Sequence, residues 1–246
     1  MSRRNRDRRF VQTSSRIPLG SARWSFYADA AHGVLFGTAP ALASWQGRTT
    51  ATQFVPGTAP DLIYTFAGGT KTAIQFVKGS SEYLLANALA SVIQGDDTVF
   101  ALALHLTIDA TAASDTIFSA GLSSDATKFW SIAMTGTPAT NLRISGRGTG
   151  DGATVNSAAV AITSAAEHVL TAARGAASVR VGVDGSFTDL AHNIGSVPSL
   201  DRVAIGGLIR NAFSLPSSIS VRRFGLIAGA FTDADDAAIN AAWMGK

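Results

Sequence analysis

Cysteine is absent from the 246 residues, which excludes a disulfide framework and any thiolate-held metal. Glutamate is nearly as scarce, with Glu82 and Glu167 the whole complement. Charged residues make up 15% of the chain against 46% hydrophobic, a balance that suits a buried core and not a disordered chain. No apolar run approaches the ~20 residues of a membrane-crossing helix. The basic N-terminus is not followed by the apolar stretch of a secretory signal. The expectation is a protein made in a cytoplasm, with no membrane partner, that would leave a cell by a route such as lysis.

The charge that is present is unevenly placed. Residues 1–23 hold seven arginines against Asp7, a net of +6, which leaves −3 for the rest of a chain whose formal total is +3. The first nine residues follow neither helical nor strand periodicity, and Pro18-Leu19-Gly20 resembles a linker. Residues 1–22 are therefore expected to be an extended basic arm, and 23–246 one large β domain. A solvated tail, an arm docked on a neighbouring protein, and a phosphate-binding segment are all consistent with clustered arginines. No aromatic residues interleave with them to stack on bases, so nucleic acid is the weakest of the three.

The chain is organised around Thr72–Leu85. Ile74, Phe76 and Val77 suggest a strand, Gly79-Ser80-Ser81 a turn, and Tyr83-Leu84-Leu85 a second strand. Upstream, Trp24–Tyr64 carries seven aromatic residues among glycines and prolines, which predicts an irregular, loop-rich layer whose aromatics plug a β core rather than stack on sugars. Downstream, Val99–Ile108 alternates Phe100, Leu102, Leu104, Leu106 and Ile108 against Ala101, Ala103, His105 and Thr107. That is a strand with both faces covered, and a histidine on its smaller face.

Further short strands are expected at Thr116–Ala120, Phe129–Thr135, Asn141–Ser145, Val160–Ile162, Glu167–Ala173, Ser178–Val183, Arg202–Gly206 and Ile219–Ile227, with Asp184-Gly185 as a hairpin turn. Thr232-Asp233-Ala234-Asp235 predicts a capped start for a closing helix, on which Ile239 and Trp243 would face the sheet. The fold class is therefore all-β: an antiparallel β-sandwich with a short C-terminal helix and a basic N-terminal arm.

With these parts in place, the order resembles the concanavalin A-like lectin/glucanase superfamily in its laminin-G-like branch, of the type found in bacteriophage structural proteins. The likeness is carried by Tyr27-Ala28-Asp29, by Trp45 with Gly47–Gln53, by Pro60-Asp61-Leu62, and by Ala73–Leu84. It continues through His168–Gly185, Ile205-Gly206-Gly207 and Phe231–Asp235, and spans about Trp24 to Trp243. It implies a jelly roll of two antiparallel sheets. The fold hosts lectins, hydrolases, adhesion modules and viral structural proteins, so it does not decide among them.

Candidate sites are few. A glycosidase needs two carboxylates flanking the bond, and neither glutamate has an acidic residue two positions away. Asp233 and Asp235 have that spacing but belong to the helix start. No catalytic residue is expected. His32, His105, His168 and His192 lack metal-ligand spacing. No cofactor is expected: a laminin-G-type calcium site would have to draw on Asp96, Asp97, Asp125 and Asp151, which also fit surface aspartates. Gly146–Gly152 resembles a phosphate cradle, but a strand-like Ala-Thr-Val follows where a helix is required. It is expected to be a hairpin loop, with Arg147 and Asp151 as candidate ligand contacts.

The resulting expectation is a non-enzymatic virion component of a bacteriophage: a decoration, fibre or tail-associated subunit. Arg3, Arg4, Arg6, Arg8, Arg9 and Arg16 would anchor it to a capsid, portal or tail protein, and a homo-oligomer is compatible with that role. The alternative is a carbohydrate-binding module contacting host surface glycans.

Overall fold

The computed structural model describes residues 19, 23–32, 34–36, 42–57, 63–67, 70–87, 89–93, 99–148, 153–175, 177–193 and 200–244. The six arm arginines, the Pro60–Leu62 stretch, and Asp96, Asp97 and Asp151 lie outside them.

In chain order the strands are β1 (Phe26–Asp29), β2 (Val34–Phe36), β3 (Leu42–Gln46), β4 (Gln53–Pro56), β5 (Ile63–Ala67), β6 (Thr70–Phe76) and β7 (Leu84–Ala86). After a short helix α1 (Ala90–Ile93) come β8 (Phe100–Ile108), β9 (Thr116–Leu122), β10 (Asp125–Thr135), β11 (Asn141–Arg147), β12 (Val155–Asn156), β13 (Val160–Ala161) and β14 (Glu167–Arg174). The last are β15 (Ser178–Val183), β16 (Ser186–Ala191), β17 (Arg202–Ile205), β18 (Leu208–Ile209), β19 (Phe213–Ser214) and β20 (Ile219–Ala228), before helix α2 (Asp233–Met244).

These form an antiparallel β-sandwich. One sheet has 8 strands in the order β16-β15-β14-β8-β20-β6-β5, with β1 also paired to β20. The other has 10, in the order β12-β11-β10-β9-β17-β7-β4-β3-β2, with β13 also paired to β11. The inner faces meet in one core. Phe100, Leu102, Leu104, Leu106 and Ile108 of β8 are wholly buried, as are Phe118 of β9 and Trp130 of β10. Burying each such side chain is worth about 1.5–3 kcal/mol, so the period-two alternation leaves little choice of register.

One expectation needs correction, and another gains a detail that the sequence left open. The Trp24–Tyr64 tract is no irregular layer: it supplies β1 to β5, and Phe26, Trp45 and Phe54 sit in the main core at 0% exposure. The aromatics do pack inward as expected, but through strands. Thr72–Leu85 is a strand, a turn and a strand, yet β6 and β7 belong to opposite sheets. The link is a crossover between layers, built on a 3-10 turn at Lys78–Ser80. Glu82 fastens it by accepting the Val77 N–H at 2.6 Å.

The outer face of the eight-stranded sheet is covered by α2. Ala101 and Ala103 face it together with Val169, Ile227, Ile239 and Trp243. The contact is close: a Cβ on Gly225 would lie 1.9 Å from the Trp24 ring, and one on Gly182 would lie 2.2 Å from Thr171 Oγ1. The helix begins as expected. Asp235 Oδ2 accepts the Thr232 N–H at 2.9 Å, and Thr232 Oγ1 accepts the Asp235 N–H at 3.3 Å, a reciprocal cap. Arg23 reaches the same carboxylate at 2.8 Å, tying the start of the described body to its last element.

Candidate functional site

Among the described residues, polar side chains line several clefts, at least one on each outer face. The first, about 400 Å³, lies where the end of α2 meets β1, β20, β8 and β14. Cross-strand register places Asp29 beside Arg223, and Arg223 beside His105. The ladder slips between Val221 and Arg223, and this irregularity brings the consecutive Arg222 and Arg223 into the same cleft.

Every charge in this cleft has a partner. Arg222 Nη1 donates to Glu167 Oε1 at 2.6 Å, and His105 Nε2 bonds the same oxygen. Arg223 Nε meets Asp29 Oδ2 at 3.3 Å, while Asp29 Oδ1 accepts the Ala31 N–H at 2.9 Å. The His105 ring lies against Trp243 at 6.0 Å and 15°, and Trp24 stacks on Trp243 at 6.2 Å and 10°. Burial pushes the His105 pKa below its ordinary value despite the opposing Glu167 carboxylate, so the ring is held neutral. Burial, with Asp29 nearby, pushes the Tyr27 hydroxyl up to about 12.

Sequence reasoning missed the meeting of Asp29 with Glu167, because the two come from distant strands, β1 and β14. Each carboxylate bonds a guanidinium. A glycosidase acid instead needs apolar surroundings that keep its proton. The three acids at the start of α2 are tied down elsewhere. Asp233 pairs with Arg180, Asp235 caps α2, and Asp236 is 1% exposed and bonds Thr171.

The second cleft, about 360 Å³, lies on the outer face of the ten-stranded sheet. Its floor follows from the same alternation that buries Trp130, Ile132, Leu142 and Ile144: the intervening residues point outward. Register sets Phe129 opposite Arg147, Ser131 opposite Ser145, and Ala133 opposite Arg143. Asn156 of β12 pairs with Ser145, whose hydroxyl donates to the Asn156 side-chain oxygen at 2.7 Å.

One wall is the hairpin β18–β19, which lies on β9. Ser119 Oγ donates to the Gly207 carbonyl at 2.7 Å and accepts the Ile209 N–H at 2.9 Å. The approach requires Gly121, where a Cβ would lie 2.0 Å from the Ile209 carbonyl oxygen. From this wall Arg210 extends over the Phe129 ring at 5.7 Å, and Leu215, at 51% exposure, borders the opening.

The electrostatics are opposite to those of the first cleft. No acidic residue is among the described residues that line this groove. The Nε atoms of Arg143, Arg147 and Arg210 are buried without a hydrogen-bond partner among the described residues. Desolvating a polar group without an acceptor costs about 1–3 kcal/mol, so the groove holds cationic donors in want of an anion.

Arg147 was expected in a hairpin loop. It is the last residue of β11, on the sheet itself beside this groove, because the Phe129 pairing extends the ladder past Ser145. Its proposed companion Asp151 falls outside the described residues. Asp125, a suggested calcium donor, is committed to its own turn: Thr127 and Lys128 bond it and lower its pKa to about 2. Arg143 and Arg210 were missed. Strand alternation could have flagged Arg143, but nothing local announces that Arg210 folds back over β10.

No protein-family model matches the chain, and no curated protein matches it. Solved structures do. The binding domain of botulinum neurotoxin DC superposes with a TM-score of 0.62 at 7% identity, over 91% of this chain and 52% of that one. A botulinum neurotoxin type C, which depends upon interaction with two ganglioside molecules to enter cells, gives 0.61 at 9%, over 92% and 51%. A mutant Trypanosoma rangeli sialidase displaying trans-sialidase activity gives 0.61 at 13%, over 89% and 33%. The chain thus spans about half of the neurotoxin chains and a third of the sialidase. At these identities the likeness establishes the fold alone: an antiparallel β-sandwich.

Proposed function

We propose that this chain is a non-enzymatic recognition module that binds a surface glycan in the groove on its ten-stranded sheet. The observation that carries the reading is the set of polar groups there: Asn156 and the guanidiniums of Arg143 and Arg210, which form no ion pair among the described residues, beside the exposed Leu215 on a strand floor. Hydroxyl-rich ligands are held by such fixed polar groups beside an apolar surface. The similarity to a ganglioside-dependent toxin and to a sialidase supports the reading at the level of fold.

The non-enzymatic part is supported by Asp29, Glu167 and Asp233, each bonded to an arginine, by Asp235, which caps a helix, and by Asp125, which is held in its own turn. A glycan array probed with the purified chain is expected to give hits above background. An array with none would remove the glycan reading, and sugar release from any polysaccharide would remove the non-enzymatic one.

The charge asymmetry favours a second element of the proposal. The arm, with Arg3, Arg4, Arg6, Arg8, Arg9 and Arg16, tethers the sandwich to a capsid, portal or tail protein of a bacteriophage particle. The sandwich is then displayed outward as a decoration, fibre or tail-associated subunit of the laminin-G-like kind.

A further inference from the structure

The groove also indicates which glycan. We propose that it takes an acidic saccharide, one bearing a carboxylate or sulfate, gripped by Arg143, Arg147 and Arg210. This inference rests on the glycan reading and narrows it to a chemical class.

The argument begins with the other arginines. Arg23, Arg180, Arg202, Arg222 and Arg223 each face a carboxylate of the chain. Arg143 and Arg210 line the cleft, Arg147 is the register partner of its Phe129, and the three form no ion pair among the described residues; no acid is among the described residues that line the cleft. Residues 24–246 carry a net −3, so carboxylates are not in short supply.

A guanidinium offers a planar fork of donors that matches a carboxylate or sulfate in bidentate geometry. The forks of Arg143 and Arg210 in the cleft, with that of Arg147 on the same sheet face, offer an anionic group donors whose Nε atoms have no partner among the described residues. The rest of the cleft suits a sugar. Leu208 and Leu215 line its apolar side, while Ser131, Ser145 and Asn156 supply hydroxyl partners.

A nucleic-acid strand would also bring anions, but the geometry favours the sugar. Phe129 is 5% exposed and already lies under Arg210, so no free aromatic platform is left for a base. The cleft, about 360 Å³, is the size of a small ligand and not of a duplex groove.

The test is a titration of the full chain with sialyllactose, sulfated lactose, plain lactose and a single-stranded oligonucleotide. Wild-type protein should bind one or both acidic sugars and not plain lactose, with affinity falling as salt rises. Binding of sialyllactose alone assigns the carboxylate, and of sulfated lactose alone the sulfate. R143Q and R210Q should each weaken that binding roughly tenfold or more, and R222Q in the opposite cleft should leave it unchanged. Thermal melts establish that each variant is folded, and R210K, which keeps the charge and loses the fork, should fall between. Equal affinity for plain and acidic lactose, indifferent to R143Q and R210Q, overturns the acidic class while leaving the glycan reading intact. Binding to no sugar here or on a wider array overturns both, as does tighter binding of the oligonucleotide than of any sugar.

Discussion

At the scale of single residues, the groove exists because of one missing side chain. Gly121 lets the β18–β19 hairpin lie directly on β9, and any Cβ there would meet the Ile209 carbonyl oxygen at 2.0 Å. Backbone cannot swing aside as a flexible side chain does. G121A is therefore expected to destabilise the fold by about 1–3 kcal/mol and to displace Arg210 from the Phe129 ring. A denaturant melt together with loss of glycan binding would register both effects.

Two histidines make stability depend on pH. Burial lowers the pKa of His105, and burial, with Arg174 adding to it, lowers that of His192, both from an ordinary 6.5. The unfolded chain then binds protons that the folded chain refuses. Stability rises with pH through the window below 6.5 and falls on acidification. Between about pH 7.5 and about pH 5.5 the wild-type melting temperature should drop. H192Q, which keeps a donor for the Val155 carbonyl, should show a smaller drop.

Little of this was legible in the sequence. That His105 lies on the smaller face of its strand follows from the alternation of β8. That Glu167 and Arg222 surround it depends on which strands flank β8, and strand order leaves no local signature.

At the scale of elements, legibility tracked how local the cause was. Most strands from β8 onward follow period-two patterns and lie where those patterns fall; β16 and the two-residue β18 and β19 do not. The cap of α2 is equally local, since Thr232 and Asp235 satisfy each other's backbone donors. T232A should cost about 1 kcal/mol, seen as a lower midpoint in urea with an unchanged slope.

Earlier elements were obscured for physical reasons. β1 to β4 are three to five residues long, too short for alternation to stand out among glycines and prolines. The Thr72–Leu85 crossover has the local chemistry of a hairpin. Only the separate partners of its strands, β20 for β6 and β17 for β7, send them to different sheets. Arg147 was misjudged for a related reason: its glycine neighbours suggest a loop, yet pairing with Phe129 carries the strand through it.

At the scale of the whole molecule, the two outer faces have different fates. One carries α2, the stacked Trp24 and Trp243, and a cleft whose charges cancel internally. The other carries a hairpin wall and a groove whose charges do not. The first arrangement holds the body together; the second is where the proposed ligand would bind. The arm adds the remaining asymmetry. Removing residues 2–18, which spares Leu19 where it packs beside the α2 cluster, should leave the melting temperature of the body unchanged and abolish incorporation into particles. Normal incorporation of the truncated chain would end the tether proposal.

The most direct test of the central claim, that the ten-stranded sheet bears the recognition surface, is a hydrogen-exchange footprint of the chain with and without an array-positive glycan. Slowed exchange in β10, β11 and residues 208–215, with β1 and α2 unaffected, is the predicted result. Protection confined to the Asp29–Glu167 cleft, with the groove unchanged, would contradict it.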